Sequence, residues 1–254
     1  MSVVLGIALI CIAILIWPTG TTKDAKKQQT DIHFKINEIG TQVADESWQP
    51  IVQGLVAYWK FDEGSGTTAT SSRGGNTGNL TGGPTWTTNA KSGQALNFNG
   101  NRVNIPDVTS GLGEASFSLW FYRTAAGSGY EFLITDYSST FEADYNTGNN
   151  FLQFYTNNVA LSYSMASNPP LNRWVHVAGT MSSSGNFKRL YVNGTQVAST
   201  TFSGTIGAHD TKSIGQRRDG TYAFNGTIDE VMIFNRALTA NEIRLLYENP
   251  GYPQ

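Results

Sequence analysis

The chain has 254 residues, of which 14% are charged, with 17 Lys and Arg against 19 Asp and Glu and a net charge of -2. That balance, with no basic cluster, excludes nucleic acid as its main ligand. The 27 glycines and 12% aromatics fit a β-rich fold with many turns, and a single cysteine, Cys11, excludes a disulfide within the chain.

Residues 1–17 are almost wholly apolar and predict a helix, spanning roughly 25 Å at 1.5 Å per residue. This is slightly short of the roughly 30 Å hydrocarbon core of a bilayer. A secretory signal would need a basic leader and a small-residue cleavage site, and neither stands there. Lys23, Lys26 and Lys27 follow the run, which by the positive-inside rule opposes a simple anchor facing outward. The segment MSVVLGIALICIAILIWP, ending at Pro18, resembles the N-terminal helix of a type IV pilin or pseudopilin entered a few residues late. The family's leader and Glu are missing from it. On that resemblance the chain is expected to start at an internal Met or to have been trimmed, and an in-frame leader in the DNA upstream of Met1 is the check.

Residues 19–53 form a second region. Ile32, Ile36, Ile39 and Val43 recur at helical spacing and leave a narrow apolar stripe. Two readings stay open: a partly ordered linker, or a stem helix through which residues 1–45 assemble with another copy or another subunit. Asp45 to Gln53, with Pro50, reads as a hinge.

From Gly54 the pattern changes to short strands rich in β-branched and aromatic residues, with Gly, Asn, Ser and Pro clusters between them. They are LVAYWKF, QALNFNG, RVNIP, FSLWFYR, EFLITD, NFLQFYT, RWVHVAGT, FKRLYVN, TQVAST and TIDEVMIF. Asn193-Gly194 between two of them predicts a type I′ hairpin turn. Thr239 and Glu242 form a capping box for one closing helix whose apolar face is Ile243, Leu246 and Tyr247. Many strands and one helix predict a two-sheet sandwich.

Six segments occur in an order that is similar to one family: GLVAYWKFDEGSG, KSGQALNFNG, FSLWFYR, RWVHVAGT, LYVNGTQVAS and GTIDEVMIFNRALTANEIRLLY. Together they closely resemble the laminin-G-like jelly rolls of the concanavalin A-like lectin and glucanase superfamily. The resemblance implies an all-β, two-sheet antiparallel jelly-roll sandwich over residues 54–249 with the opening and closing strands side by side, and an extracellular module that binds glycans or proteins. It also implies a structural Ca2+ held by Asp62 and Asp229, with carbonyls of the Gly64–Asn79 loop adding ligands. Ser71-Ser72 stands where many relatives have an Asp. Because neighbours in a strand face opposite ways, Asp62 with Glu63, or Asp229 with Glu230, share a site only at a bulge.

Glucanases of that superfamily use Glu-x-Asp-x-Glu on one strand, where one carboxyl protonates the leaving oxygen and the other attacks or activates water. Here Glu142, Asp144 and Asn146 occupy that spacing. Glu142 and Asp144 would share a face of a strand, but Asn146 replaces the second Glu, and a polar loop or edge strand is the preferred reading. His33, His176 and His209 suggest no triad, and His176 reads as strand scaffold. A sugar site needs ring faces beside polar side chains that fix hydroxyls. Tyr137, Asp144, Tyr145 and Tyr155, with Arg217 and Tyr222 from a second loop, are the candidates. The expected function is a non-catalytic binding module at the cell surface, anchored or pilus-associated through its N-terminal helix. It would recognise a glycan or a surface protein. A structural minor pilin subunit and, behind it, a glycoside hydrolase are the alternatives.

Overall fold

The computed structural model describes residues 49–253 apart from 126, 128, 137, 166–170 and 209–210. The apolar run, the Ile32–Val43 stripe, and with them the pilin-like and anchoring expectations, lie outside the described residues. Among the described residues no helix is long and apolar enough to cross a membrane.

Residues 50–254 form one compact unit. One helical turn, α1 (Gln49–Val52), precedes sixteen strands and a closing helix, α2 (Ala240–Glu248). In chain order the strands begin with β1 (Leu55–Trp59), β2 (Thr68–Thr70), β3 (Thr77–Thr81), β4 (Thr85–Thr87) and β5 (Ala95–Asn99). Next come β6 (Arg102–Pro106), β7 (Glu114–Arg123), β8 (Tyr130–Thr135), β9 (Glu142–Asn146), β10 (Phe151–Thr156) and β11 (Val159–Ser164). The last five are β12 (Trp174–Ser182), β13 (Phe187–Val192), β14 (Thr195–Thr200), β15 (Thr211–Ile214) and β16 (Asn225–Phe234).

They make two antiparallel sheets. Sheet A runs β14-β13-β12-β7-β16-β5-β4, and sheet B runs β11-β10-β9-β8-β15-β6-β3-β2. The long strand β16 pairs with β5 over Asn225–Ile228 and with β1 over Val231–Phe234, so the opening and closing strands are neighbours as expected. The change of partner coincides with a bulge after Asp229 and a left-handed Glu230, φ 56°. A bulge adds a residue and breaks the alternation of faces.

The inner faces meet in one hydrophobic core. Phe117 from sheet A meets Phe154 and Phe141 from the sheet B side edge-on, with centroids 5.1 and 5.9 Å apart. Each fully buried aromatic of this kind contributes about 1.5–3 kcal/mol, which lets the core hold without a disulfide. Gly179 of β12 makes that contact possible. A Cβ there would lie 2.3 Å from Phe117 and 2.8 Å from Phe154. Asn193 and Gly194 both have positive φ, 48° and 74°, between β13 and β14, which is what a type I′ turn requires. The capping box of α2 is formed by Thr239 and Glu242. The helix lies on the outer face of sheet A, where Tyr247 stacks on Trp120 at 5.5 Å.

Candidate functional site

The outer face of sheet B carries buried polar groups that a solvated face does not need. In β9, Ala143 points into the core, so Glu142, Asp144 and Asn146 point outward. Their neighbours by register are Phe132 of β8 opposite Asp144, Gln153 of β10 on its other side, and Tyr155 opposite Glu142. Asp144 is fully buried, and Glu142, Gln153 and Phe132 are nearly so. The segment from Gly215 to Phe224 folds against the same face. The Phe132 N–H donates to Tyr222 O at 3.4 Å and the Phe224 N–H to Gly215 O at 2.7 Å. Tyr222 meets Tyr130 and Phe132 edge-on at 5.5 and 5.9 Å. Arg217 lies 5.8 Å from the Tyr222 ring and 3.8 Å from Asp219.

Within this patch the carboxyls differ. Glu142 accepts from the Thr135 hydroxyl at 2.6 Å and from the Ser139 hydroxyl at 2.9 Å. Burial pushes its carboxyl up, and those two hydroxyls partly offset the shift. Neither oxygen of Asp144 has a hydrogen-bond partner, nor has Gln153 Oε1. Burial pushes Asp144 well above the usual carboxylate range, and the nearby Glu142 adds to it. Burial, with Asp144 second, raises the Tyr155 phenol to about 12. A buried polar atom without a partner costs about 1–3 kcal/mol, so three on one face mark a place where the chain alone leaves bonding capacity unused.

The structure brings Asp144, Tyr155, Arg217 and Tyr222 to this face. Tyr145 is elsewhere. It alternates to the inner side with Ala143, donates its hydroxyl to Asn150 at 2.8 Å, and lies 4.6 Å from Arg123. Arg123 in turn forms a buried ion pair with Glu131 at 2.6 Å. Tyr137 lies outside the described residues. The preference for a loop or edge strand at 142–146 is corrected, because β9 is an interior strand between β8 and β10. Its period-two pattern, Phe141-Glu-Ala-Asp-Tyr-Asn, was the signal. Gln153 and Phe132 were strand residues without a role until the register set them beside Asp144. His176 is scaffold: it is buried, Nε2 is 2.8 Å from the Ser118 hydroxyl, and burial depresses it to about 3.

Asp62 and Asp229 lie apart from this face. Asp229 is in sheet A. Asp62 is three residues past the end of β1, beyond a left-handed Phe61, φ 59°. Both hold the same short segment. The Gln94 N–H donates to Asp62 Oδ1 at 2.7 Å, and the Lys91 and Ser92 N–H groups donate to Asp229 Oδ2 at 2.7 and 3.1 Å. Asp229 Oδ1 accepts from the Glu230 N–H at 2.9 Å. Ser71, of the Ser71-Ser72 pair that the resemblance set at a carboxylate position, accepts from the Tyr58 N–H at 2.7 Å. Ca2+ requires six to eight oxygen ligands, and these carboxylates face N–H groups, which repel a cation. Among the described residues no group of three or more His, Cys, Asp or Glu is placed to hold a metal. As placed, the two acids fit a clamp on the 91–94 turn rather than a calcium site. At the bulge Glu230 shares this region: the Tyr58 hydroxyl and the Gly251 N–H donate to its Oε2, and its Oε1 has no partner.

Comparison with known proteins supports the architecture. Domain 4 of AbnA, an extracellular arabinanase from Geobacillus stearothermophilus solved in complex with arabinotriose, is similar with a TM-score of 0.62 at 21% identity, covering 76% of this chain and 98% of that one. The binding domain of botulinum neurotoxin serotype D gives 0.60 at 15% identity, covering 77% of this chain and 51% of the other. Trypanosoma rangeli sialidase gives 0.58 at 18%, covering 76% and 33%. The human adhesion G-protein coupled receptor D1 is 30% identical over 116 residues, 43% of this chain, and the chain spans 13% of the receptor's length. A laminin-G-type family model, described as the concanavalin A-like lectin/glucanases superfamily, matches residues 97–244, more than half of the 254 residues. The chain therefore belongs to the concanavalin A-like lectin/glucanases superfamily.

Proposed function

We propose that this protein is a non-catalytic glycan-binding module whose site is the outer face of sheet B around Asp144, Gln153, Tyr155, Tyr222 and Arg217. The observation that carries the reading is Asp144, a fully buried carboxyl with no partner on either oxygen, set beside tyrosine rings. Sugar hydroxyls are the natural donors for such acceptors, and ring faces suit the apolar faces of pyranoses. The fold also occurs in a domain solved with arabinotriose and in a toxin binding domain solved with SialylT. The test is a glycan array followed by calorimetry on the full chain. Saturable binding that weakens in Tyr222→Ala supports the site. Capture of a surface protein with no glycan bound would move the function to protein recognition.

One observation favours hydrolysis as a second reading: Glu142 and Asp144 are two buried carboxyls on one face of one strand, about 7 Å apart along it. Against it, hydroxyls of Thr135 and Ser139 occupy both Glu142 oxygens. Release of reducing ends that disappears in Glu142→Gln would establish catalysis. Surface display through residues 1–17, assembly through residues 1–45, and the minor-pilin alternative rest on the sequence pattern alone, and cell fractionation with and without those segments tests them.

A further inference from the structure

We infer that the segment from Gln216 to Ala223 is a lid, closed in this structure over the outer face of sheet B, and that Asp144 beneath it sets how often it opens. This rests on the glycan-binding reading for its purpose and adds the route by which a ligand reaches that site.

Asp144 stands on an outer strand face, yet it is fully buried and neither of its oxygens is hydrogen-bonded. A sheet face turned to solvent does not bury a carboxyl by itself, so a segment must cross it. That segment leaves the sheet at Gly215, directly after β15, and ends at Phe224, directly before β16. Both ends are fixed. Gly215 has φ 89°, and a Cβ there would lie 2.2 Å from the Phe98 ring. Its N–H donates to Leu133 O at 3.3 Å, and the fully buried Phe224 donates its N–H back to Gly215 O at 2.7 Å.

Between these ends the segment carries its own bonds. Gln216 Nε2 donates to Gly220 O at 2.8 Å and the Gly220 N–H to Arg217 O at 3.0 Å. Asp219 Oδ1 accepts from the Thr221 N–H and hydroxyl at 3.0 and 2.6 Å. With β8 it shares a long bond, Phe132 N–H to Tyr222 O at 3.4 Å, and the edge-on contacts of the Tyr222 ring with Tyr130 and Phe132. Tyr222 is 40% exposed and left-handed, with φ 54°. A segment bonded within itself, fixed at both ends and lightly tied to the surface below it can lift as a unit, with the change of backbone angle absorbed at the element ends.

Lifting changes the state of Asp144. Under the lid, burial holds its carboxyl neutral, well above the usual carboxylate range, and the nearby Glu142 adds to this. In water the same carboxyl loses its proton and is hydrated, and its oxygens then meet sugar hydroxyls as acceptors. The closed form therefore holds one more proton than the open form. Rising pH favours opening, by up to about tenfold per pH unit between the solvated and the buried carboxyl ranges. Other charged groups face the same place. Glu142 shares the strand and feels Arg217 of the lid and Asp136, which pairs with Lys212 at 2.9 Å. Tyr155 of β10 feels Asp144, Glu142 and Tyr130 of β8. All of them are present in Asp144→Asn, so dividing wild-type rates by those of this variant isolates the contribution of residue 144.

Trypsin reads the motion on the full chain, because Arg217 and Arg218 lie in the lid and cleavage there follows the population of the lifted form when closing is fast. Mass spectrometry follows the nick after either residue under native conditions, and melting curves check the fold. Tyr222→Ala, which removes the ring contacts, is expected to speed the nick about tenfold at an unchanged melting temperature. The wild-type rate divided by that of Asp144→Asn is expected to rise about tenfold or more from pH 6 to pH 8, the protease's own pH dependence cancelling in the quotient. A quotient flat with pH overturns the role of Asp144, and a nick no faster in folded Tyr222→Ala overturns the lid. Should Tyr222→Ala melt lower, hydrogen exchange on the wild type decides. Phe132 and Gly220 amides that exchange well before those of β9 and β10 support the lid, and exchange only together with them overturns it. None of these measurements needs a ligand, so a rigid segment leaves the glycan-binding reading to the array, and an array without hits removes that reading while the lid is still measured.

Discussion

Asp62 shows how one side chain fixes a loop. Its Oδ1 would lie 2.0 Å from a Cβ at position 93, and Gly93 has φ 56°, so both space and backbone call for glycine there. Gly93→Ala is expected to cost about 1–3 kcal/mol from the left-handed backbone alone, with the collision adding to it, as a lower denaturant midpoint at unchanged slope. The same clamp sets the expectation for metal. With N–H groups on Asp62 and Asp229, a chelator should leave the melting temperature unchanged. A fall on chelation, reversed by added Ca2+, would instead show that a cation reorganises the 91–94 segment, since a ligand bound only to the native state raises its stability. The pairing of Asp62 with Asp229 was visible only through the family resemblance. Their partners were not, because backbone N–H groups carry no sequence signature.

At the level of elements, α2 is the case where local code and observed structure coincide. Thr239 accepts the Glu242 N–H at 3.3 Å, and Glu242 accepts the Thr239 N–H at 2.8 Å. Arg236 adds an ion pair to Glu242 at 2.6 Å. Thr239→Ala is expected to destabilise by about 1 kcal/mol, with Thr239→Ser nearly neutral; thermal melts of both variants decide it. Strand β9 is the opposite case. Its alternation was legible, but with only Phe141, Ala143 and Tyr145 facing inward it reads as strand or polar loop until β8 and β10 flank it. Strands β2, β3, β4, β11 and β15 escaped the sequence reading for a related reason. They are short or polar, as in TAT, TGNLT, TWT, VALSYS and TKSI, and pairing partners supply what their own propensity does not.

For the molecule as a whole, buried acids set a dependence of stability on pH. Burial, with Glu230 second, raises Asp229 to about 8, and burial raises Glu230 to about 7. The folded state then holds more protons than the unfolded chain between the ordinary carboxylate range and those values, so stability falls as pH rises through this window. His176 acts oppositely. Depressed to about 3 by burial, it adds stability as pH rises up to its unfolded value of about 6.5. Lys188, lowered to about 8 by burial, contributes increasing stability only above that. The interval from pH 6.5 to 8 therefore isolates the acids: the melting temperature should fall across it, and Glu230→Gln, which still accepts from Tyr58 and Gly251, should flatten that fall. A profile that is unchanged in Glu230→Gln would remove the acid pair as its source. Sequence by itself determined the all-β sandwich, the hairpin at Asn193-Gly194 and the capped helix, because turn chemistry, capping and period-two burial are local and repeat along the chain. Only the tertiary structure decided which polar residues form a site. Whether Asp144 lies beside Gln153 or Tyr145 turns to Arg123 depends on strand register and on the loop that folds across the sheet, and those follow from packing between segments far apart in the chain.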